Sequence, residues 1–195
     1  MDNNNFQILF DSINIEADST LGYEKTKFLY NQFKEMNVSG HSAEIGVYKG
    51  YTSKLLSIIN SNNIHYCYDT FNGVVHYNKE IDMVLDGSFS WHLDQVKDII
   101  SSKNVIYKFG IFPETFNENH HEFSFVHSDT DTYFGATATF TCFASIMMIG
   151  GKILFDDYKW DLCPGIEKAV QEFLETNKNY NVEEAEYQIV FTRIK

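Results

Sequence analysis

The chain has 195 residues, of which 27 are acidic and 15 are basic, so its formal net charge is −12. This length is typical of a single domain with a complete hydrophobic core. The negative charge and the lack of a basic run argue against a nucleic-acid partner and against binding to an anionic membrane surface.

Segments of strand and helical character alternate along the chain. Residues 19–36 predict an amphipathic helix, within an N-terminal helical segment assigned to residues 1–37. Buried strands are predicted over residues 42–47, 64–69, 104–109, 123–129, 152–157 and 187–194. Helices are predicted over residues 51–61, 91–101, 136–149 and 164–177, the third of them ending at Gly150-Gly151. The pattern predicts one α/β domain over residues 1–195, with a Rossmann-like core from residue 38, a mostly parallel sheet and helices on both faces.

The first predicted strand leads into a glycine turn in which Glu44, Gly46 and Gly50 follow the pattern E-x-G-x-x-x-G. Gly46 lets the backbone approach a ligand, and the helix after Gly50 presents free N–H groups. Asp69 ends the second strand, where an acid can accept hydrogen bonds from ribose hydroxyls. The middle glycine of a dinucleotide fingerprint is missing. An acid two residues before the first glycine is instead typical of S-adenosylmethionine enzymes, although a plain turn with a capping aspartate is the alternative.

Four aspartates follow two further predicted strands. Asp129 and Asp131 can converge because residues two apart on a strand face the same way. Asp156 and Asp157 can serve one site only if Asp157 already lies in the turn after its strand. Hard carboxylate ligands suit Mg²⁺, with Mn²⁺ or Ca²⁺ as alternatives. The other interpretation is that these acids cap helices and remain solvated.

Histidine provides no convincing metal site. His127 and Asp129 resemble the start of a two-histidine, one-carboxylate iron site, but all seven histidines lie at or before position 127, so the further downstream histidine is missing. His127 is interpreted as a strand residue and His120-His121 as a loop pair.

The order of six motifs resembles the macrocin-type O-methyltransferase family, class I methyltransferases that modify sugar hydroxyls. The motifs are AEIGVYKG, YDTFNG, FGIFPETF, HSDTDTY, GGKILFDDY and PGIEKAVQEF, and the resemblance covers roughly residues 38–175. It implies a Rossmann-like class I methyltransferase fold, S-adenosylmethionine and Mg²⁺ as cofactors, and a hydroxylated sugar or glycosylated small molecule as substrate.

The resemblance also implies roles for individual residues. The residues expected to line S-adenosylmethionine are Glu44, Gly46, Gly50 and Asp69, with Ile111 bordering the adenine. The residues expected to hold Mg²⁺ are Asp129, Asp156 and Asp157, with Asp131 as the general base.

Two other functions stay open at this point. A magnesium-dependent phosphoryl-processing enzyme requires basic residues near the aspartates, and Lys152 and Lys159 are the candidates that the sequence offers. A non-catalytic S-adenosylmethionine-binding protein is the second alternative. The three cysteines lack CxxC spacing, so they are expected to be reduced thiols of a cytoplasmic protein, with Cys67 and Cys142 buried. The N-terminal residues do not resemble a signal peptide and no apolar run is long enough for a membrane span. A homo-oligomer is possible on this sequence.

Overall fold

The computed structural model describes residues 3–17, 21–117 and 122–195. The predicted loop pair His120-His121 lies outside these ranges, as do residues 19 and 20 of the first predicted helix. The helices are α1 (Asn3–Ala17), α2 (Tyr23–Lys34), α3 (Tyr51–Ile59), α4 (Leu93–Ile100), α5 (Tyr133–Phe143) and α6 (Pro164–Thr176). The strands are β1 (His41–Ile45), β2 (His65–Asp69), β3 (Val105–Phe109), β4 (Phe123–Ser128), β5 (Met147–Asp156), β6 (Tyr180–Ala185) and β7 (Gln188–Arg193).

The seven strands form one sheet in the order β3-β2-β1-β4-β5-β7-β6. The pairs from β3 through β5 are parallel, whereas β7 runs antiparallel to both β5 and β6. The predicted α/β fold with a mostly parallel sheet is therefore confirmed. Because β1 and β4 are neighbours although they are distant in sequence, the strand order reverses between them. At such a reversal the loops after the strands separate and leave a crevice at the carboxyl edge.

Helices cover both faces of the sheet, and the side chains of each strand alternate between them. Ile153 and Phe191 are paired across β5 and β7 and pack on the face that carries α5 and α6. Their neighbours Leu154 and Val190 pack on the opposite face, in a cluster with α1, α2 and α3. Burial on both faces explains why these strands are continuously apolar.

Two predicted boundaries were wrong. The helix predicted over residues 136–149 ends at Phe143, and Met147 already begins β5. Gly150 does not stop a helix; it takes φ +84° inside the strand, where the β4–β5 register shifts. Apolar content alone did not distinguish the end of the helix from the start of the strand.

The sequence contains no pattern that predicts β6. This strand lies at the edge of the sheet and four of its six residues are exposed, so it lacks the apolar signal of a buried strand.

The cysteines differ partly from expectation. All three are free thiols, as predicted, and Cys67 is buried. Cys142 is only half-buried, whereas Cys163 is fully enclosed at the start of α6. Among the described residues, no helix combines the length and the apolar character needed to cross a bilayer.

Candidate active site

A cavity of about 370 Å³ lies at the carboxyl edge of the sheet, where the strand order reverses. The loops that follow β1, β2, β4 and β5 supply much of its wall. Six of the nine predicted site residues line the cavity: Gly46, Asp69, Asp129, Asp131, Asp156 and Asp157. Residues that are up to 111 positions apart in sequence thus meet in one crevice.

Gly46 is required by the approach of two backbones. It has φ +85°, in the left-handed region that favours glycine. A Cβ built on Gly46 would clash with the carbonyl oxygen of Asp129, so the turn after β1 touches the loop after β4. Any side chain at position 46 would force these loops apart.

Asp69 shapes the same turn through hydrogen bonds. The backbone N–H groups of Val47 and Tyr48 donate to its Oδ2 at 2.6 and 2.9 Å. The N–H of Phe71 donates to Oδ1 at 2.6 Å. Burial raises the pKa of the Asp69 carboxyl, and these backbone donors oppose that shift. Carboxylate oxygens can accept further hydrogen bonds, so Asp69 can hold the turn and still present an acceptor to the cavity.

The other three predicted cofactor residues lie outside the cavity wall. Ile111 does not line it, although its neighbours Gly110 and Phe112 do. Gly50 caps α3 with φ +90° and faces the side chains of α4, which explains its lack of a side chain by packing. Glu44 is only 1% exposed and lies within the sheet. A contribution of these residues to ligand binding would therefore be indirect.

Glu44 takes part in a buried polar chain beneath the glycine turn. Its Oε1 lies 2.8 Å from Nδ1 of His127 on the neighbouring strand. Its Oε2 accepts the hydroxyl hydrogen of Ser53 on α3. The Ser53 hydroxyl also lies 3.1 Å from Nε2 of His65, which links β1, β2, β4 and α3. The short distances and near-complete burial indicate that this chain fixes the turn-bearing strands relative to α3.

We expect the Glu44→Ala substitution to destabilise the fold by about 3 kcal/mol, because it leaves two buried hydrogen-bonding groups, on Ser53 and His127, without this partner. Urea denaturation followed by circular dichroism measures the effect. Glu24→Ala, on the exposed part of α2, serves as the matched control and should change the unfolding free energy by less than about 0.5 kcal/mol. An equal loss in both variants would contradict the role assigned to the buried chain.

The aspartates converge through turns as well as strand ends. Asp129 follows the last residue of β4, and Asp156 is the last residue of β5. Asp157 comes next with φ +57°, so its side chain turns back towards that of Asp156. One carboxylate oxygen from each of Asp129, Asp156 and Asp157 lies within 4.8 Å of the others. Three hard oxygen donors at this spacing are the ligand type that Mg²⁺ and Mn²⁺ prefer.

Asp131 lies beside this group, with φ +58° in the loop before α5. One of its oxygens falls within 4.8 Å of ligand atoms from Asp157 and Cys163. The thiol of Cys163 donates to Asp131 Oδ1 at 3.7 Å. Desolvation and the charge of Asp157 raise the pKa of Asp131 to about 8. The same two causes raise the pKa of Asp156 to about 6, with Lys25 opposing them. The site is therefore electrostatically strained by its own negative charge.

Lys25, on α2, supplies positive charge that the sequence had not indicated. Its Nζ lies 2.7 Å from Asp157 Oδ1 and about 3 Å from both carboxylate oxygens of Asp156. Lys152 and Lys159, the candidate bases for the phosphoryl-processing alternative, pair with Gln32 and Glu184 and do not line the cavity. A basic residue 131 positions before its partner leaves no local sequence signal.

No protein-family model matches the chain, and no curated protein matches its sequence. Among solved structures, the O-methyltransferase NovP superposes with a TM-score of 0.70 at 16% identity, covering 96% of this chain and 80% of NovP. The calicheamicin methyltransferase CalS11 gives a TM-score of 0.71 at 14% identity, covering 98% of this chain and 94% of CalS11.

This chain has the class I methyltransferase fold. The fold that the motif order predicted is thereby confirmed. The assignment to the macrocin-type family is narrower than these structural similarities show. The class I methyltransferase fold is shared by proteins of different substrates: an rRNA methylase from Streptococcus thermophilus matches with a TM-score of 0.59 at 6% identity, covering 91% of this chain and all of that one. The fold alone does not determine the acceptor; the residues of the site do.

Proposed function

We propose that the chain is a magnesium- and S-adenosylmethionine-dependent O-methyltransferase of the macrocin type, acting on a hydroxyl group of a sugar or glycosylated small molecule. The observation that carries this proposal is the convergence of Asp129, Asp131, Asp156 and Asp157 on the wall of the cavity that also contains Gly46. A donor site and an acid cluster in one crevice are what a metal-assisted methyl transfer to oxygen requires.

The residues present fit S-adenosylmethionine. Gly46 lines the cavity at the turn after β1, and Asp69 lines the same space from the end of β2. Tyr68 and Phe112 add apolar wall on the side of β2 and β3. We assign Asp69 to the ribose hydroxyls and the segment around Ile111 to the adenine side. Glu44 and Gly50 would act indirectly, by holding the glycine turn and the start of α3 in place. When bound, S-adenosylmethionine supplies a methyl group on a sulfonium that is a good leaving group.

The acid cluster fits a hard divalent cation by its chemistry, since its three donors are carboxylates from two adjacent strand ends. Asp129, Asp156 and Asp157 would hold the cation. When bound, it would supply positive charge that favours the ionised form of an acceptor hydroxyl.

The remaining catalytic work falls to Asp131. Its carboxylate lies at the edge of the cluster and lines the cavity, where an acceptor hydroxyl can approach it. In its ionised form it would remove the hydroxyl proton, a step that is typically worth about 10²–10⁴ in rate. Burial and the charge of Asp157 raise the pKa of Asp131, and a bound cation would oppose that shift and favour the ionised form that the base role requires.

The cavity wall supports a small, hydroxylated acceptor. Trp160 and Tyr187 flank the acid cluster, and aromatic rings of this kind can stack on the apolar face of a sugar. Among the described residues that line the cavity, Lys25 is the only lysine or arginine. A transferred phosphoryl group or a nucleic-acid backbone would require more positive charge than this.

A cytoplasmic location and a homo-oligomeric state stay predictions.

Calorimetry with S-adenosylmethionine, followed by transfer of a labelled methyl group to a panel of glycosides, tests the proposal. We expect cofactor binding, and methyl transfer to a hydroxyl that stops when EDTA removes the metal. Binding without transfer to any hydroxylated acceptor would favour the non-catalytic alternative. Phosphate release from a phosphorylated compound, without cofactor binding, would favour the phosphoryl-processing alternative. Absence of S-adenosylmethionine binding would contradict the proposed function.

A further inference from the structure

Lys25 contacts two of the three carboxylates that a divalent cation would use. Its Nζ makes a 2.7 Å contact with Asp157 Oδ1 and lies 3.1 and 3.2 Å from the two oxygens of Asp156. Asp156 and Asp157 are two of the three residues whose ligand atoms converge. The ammonium thus lies on the acid cluster itself and not merely in its surroundings.

The groups around Lys25 hold its ammonium in a defined position beside the two aspartates. Its side chain is 24% exposed, while those of Asp156 and Asp157 are 4% and 9% exposed, so solvent screens the pair poorly. The rings of Trp160 and Tyr187 each lie 5.9 Å from the ammonium. The ammonium is thus held between two carboxylates and two aromatic rings.

An ammonium and a divalent cation place different demands on the same carboxylates. Mg²⁺ requires oxygen ligands at about 2.0–2.1 Å in nearly octahedral arrangement. A hydrogen-bonded ammonium takes up lone pairs of those oxygens and repels a second cation a few ångströms away. The Lys25 ammonium therefore has to move away from these carboxylates when a divalent cation binds.

We propose that Lys25 is the resident counter-ion of the acid cluster, that it competes with the divalent cation for Asp156 and Asp157, and that cation binding displaces the first turn of α2 from the cavity. This inference rests on the metal role in the proposed function. The proposal gives α2 a role beyond stabilising the fold. The helix closes the metal side of the cavity while the cation is absent, and it moves away from the cavity when the cation binds. Lys25 is in this sense a positioning residue, because it acts through the carboxylates.

The inference is tested by calorimetric titration of the EDTA-treated protein with MgCl₂. We expect Lys25→Met to bind Mg²⁺ at least about tenfold more tightly than the unmodified chain, because the competing charge is gone. Lys27→Met removes a lysine from the same helix, where its ammonium lies over the Tyr23 ring, and should leave the Mg²⁺ affinity unchanged. Lys25→Arg keeps the charge and should not reproduce the gain in affinity.

Tryptophan fluorescence gives a second readout that does not depend on activity. In a Trp91→Phe protein, Trp160 is the only tryptophan and reports on the ammonium beside its ring. Saturation with Mg²⁺ should change its emission, and the change should be lost when Lys25→Met is added. Because the Trp91→Phe protein retains Lys25, it tests the displacement even if Lys25→Met does not fold. Unchanged emission at saturating Mg²⁺ would overturn the inference.

Two further outcomes separate this inference from the proposed function. Equal or weaker Mg²⁺ binding by Lys25→Met, with binding abolished in Asp157→Asn, would overturn the competition and leave the metal site standing. Absence of Mg²⁺ binding in every variant would overturn both the metal role and the competition. The affinity for S-adenosylmethionine, measured on the same samples, would then show whether the donor site stands on its own.

Discussion

The Asp131→Asn variant is expected to bind S-adenosylmethionine and Mg²⁺ normally and to transfer methyl groups about 10²–10⁴-fold more slowly. The amide has nearly the same shape as the carboxylate but cannot take a proton from the acceptor hydroxyl. Asp131 does not belong to the convergent set of Asp129, Asp156 and Asp157, so the cation site retains its three carboxylates. The loss should therefore appear in kcat, with little change in the dissociation constants of donor and metal.

Single-turnover assays with labelled S-adenosylmethionine measure this rate, and calorimetry measures the two affinities. Asp161→Asn makes the same chemical change at an exposed position outside the cavity wall and should transfer methyl groups at the rate of the unmodified chain. Near-normal turnover by Asp131→Asn would remove the general-base assignment. Loss of donor binding in that variant would instead show that the substitution disturbs the loop after β4.

The Asp157→Asn variant is expected to lose divalent-cation binding and, with it, methyl transfer. Residues that only orient a metal ligand typically contribute 10–100-fold in affinity, so loss of a direct carboxylate ligand should cost more than about 100-fold. The substitution also removes one of the two negative charges that Lys25 contacts, and the ammonium would remain paired with Asp156. Donor binding at Gly46 and Asp69 should persist, because these residues lie on the side of β1 and β2.

Titration with MgCl₂ and with S-adenosylmethionine separates the two effects. If Asp157→Asn transferred methyl groups at the normal rate, and the unmodified chain did so in EDTA, the metal role would be contradicted. Asp94→Asn, on the exposed first turn of α4, is a matched control for the loss of one carboxylate.

The sheet and the general position of the site followed from local signals. Continuous apolar runs alternating with helical periodicity predicted the parallel strands, because burial on both faces leaves that pattern. Gly46 and Asp69 could be placed in the crevice because both lie at strand ends, and the carboxyl ends of parallel strands share one edge. The same logic brought the aspartates after β4 and β5 together.

Other features of the site arise from contacts that have no local signature. Lys25 reaches the aspartates from α2, and only the packing of that helix against the sheet brings it there. Glu44 was expected near the donor, but its partners on β4 and α3 hold it below the cavity. Asp131 and Asp157 converge through left-handed backbone conformations at non-glycine residues, which alternation along a strand does not predict. The edge strand β6 was missed because exposure removes the apolar pattern.

The most direct test of the central claim is a crystal structure of the chain grown with S-adenosylhomocysteine and MnCl₂, with anomalous diffraction recorded for manganese. We expect a manganese peak among Asp129, Asp156 and Asp157, with the ribose hydroxyls on Asp69 and the homocysteine against Gly46. An ordered nucleoside elsewhere, or no manganese at the three aspartates in crystals saturated with it, would contradict a shared donor and metal site in this cavity.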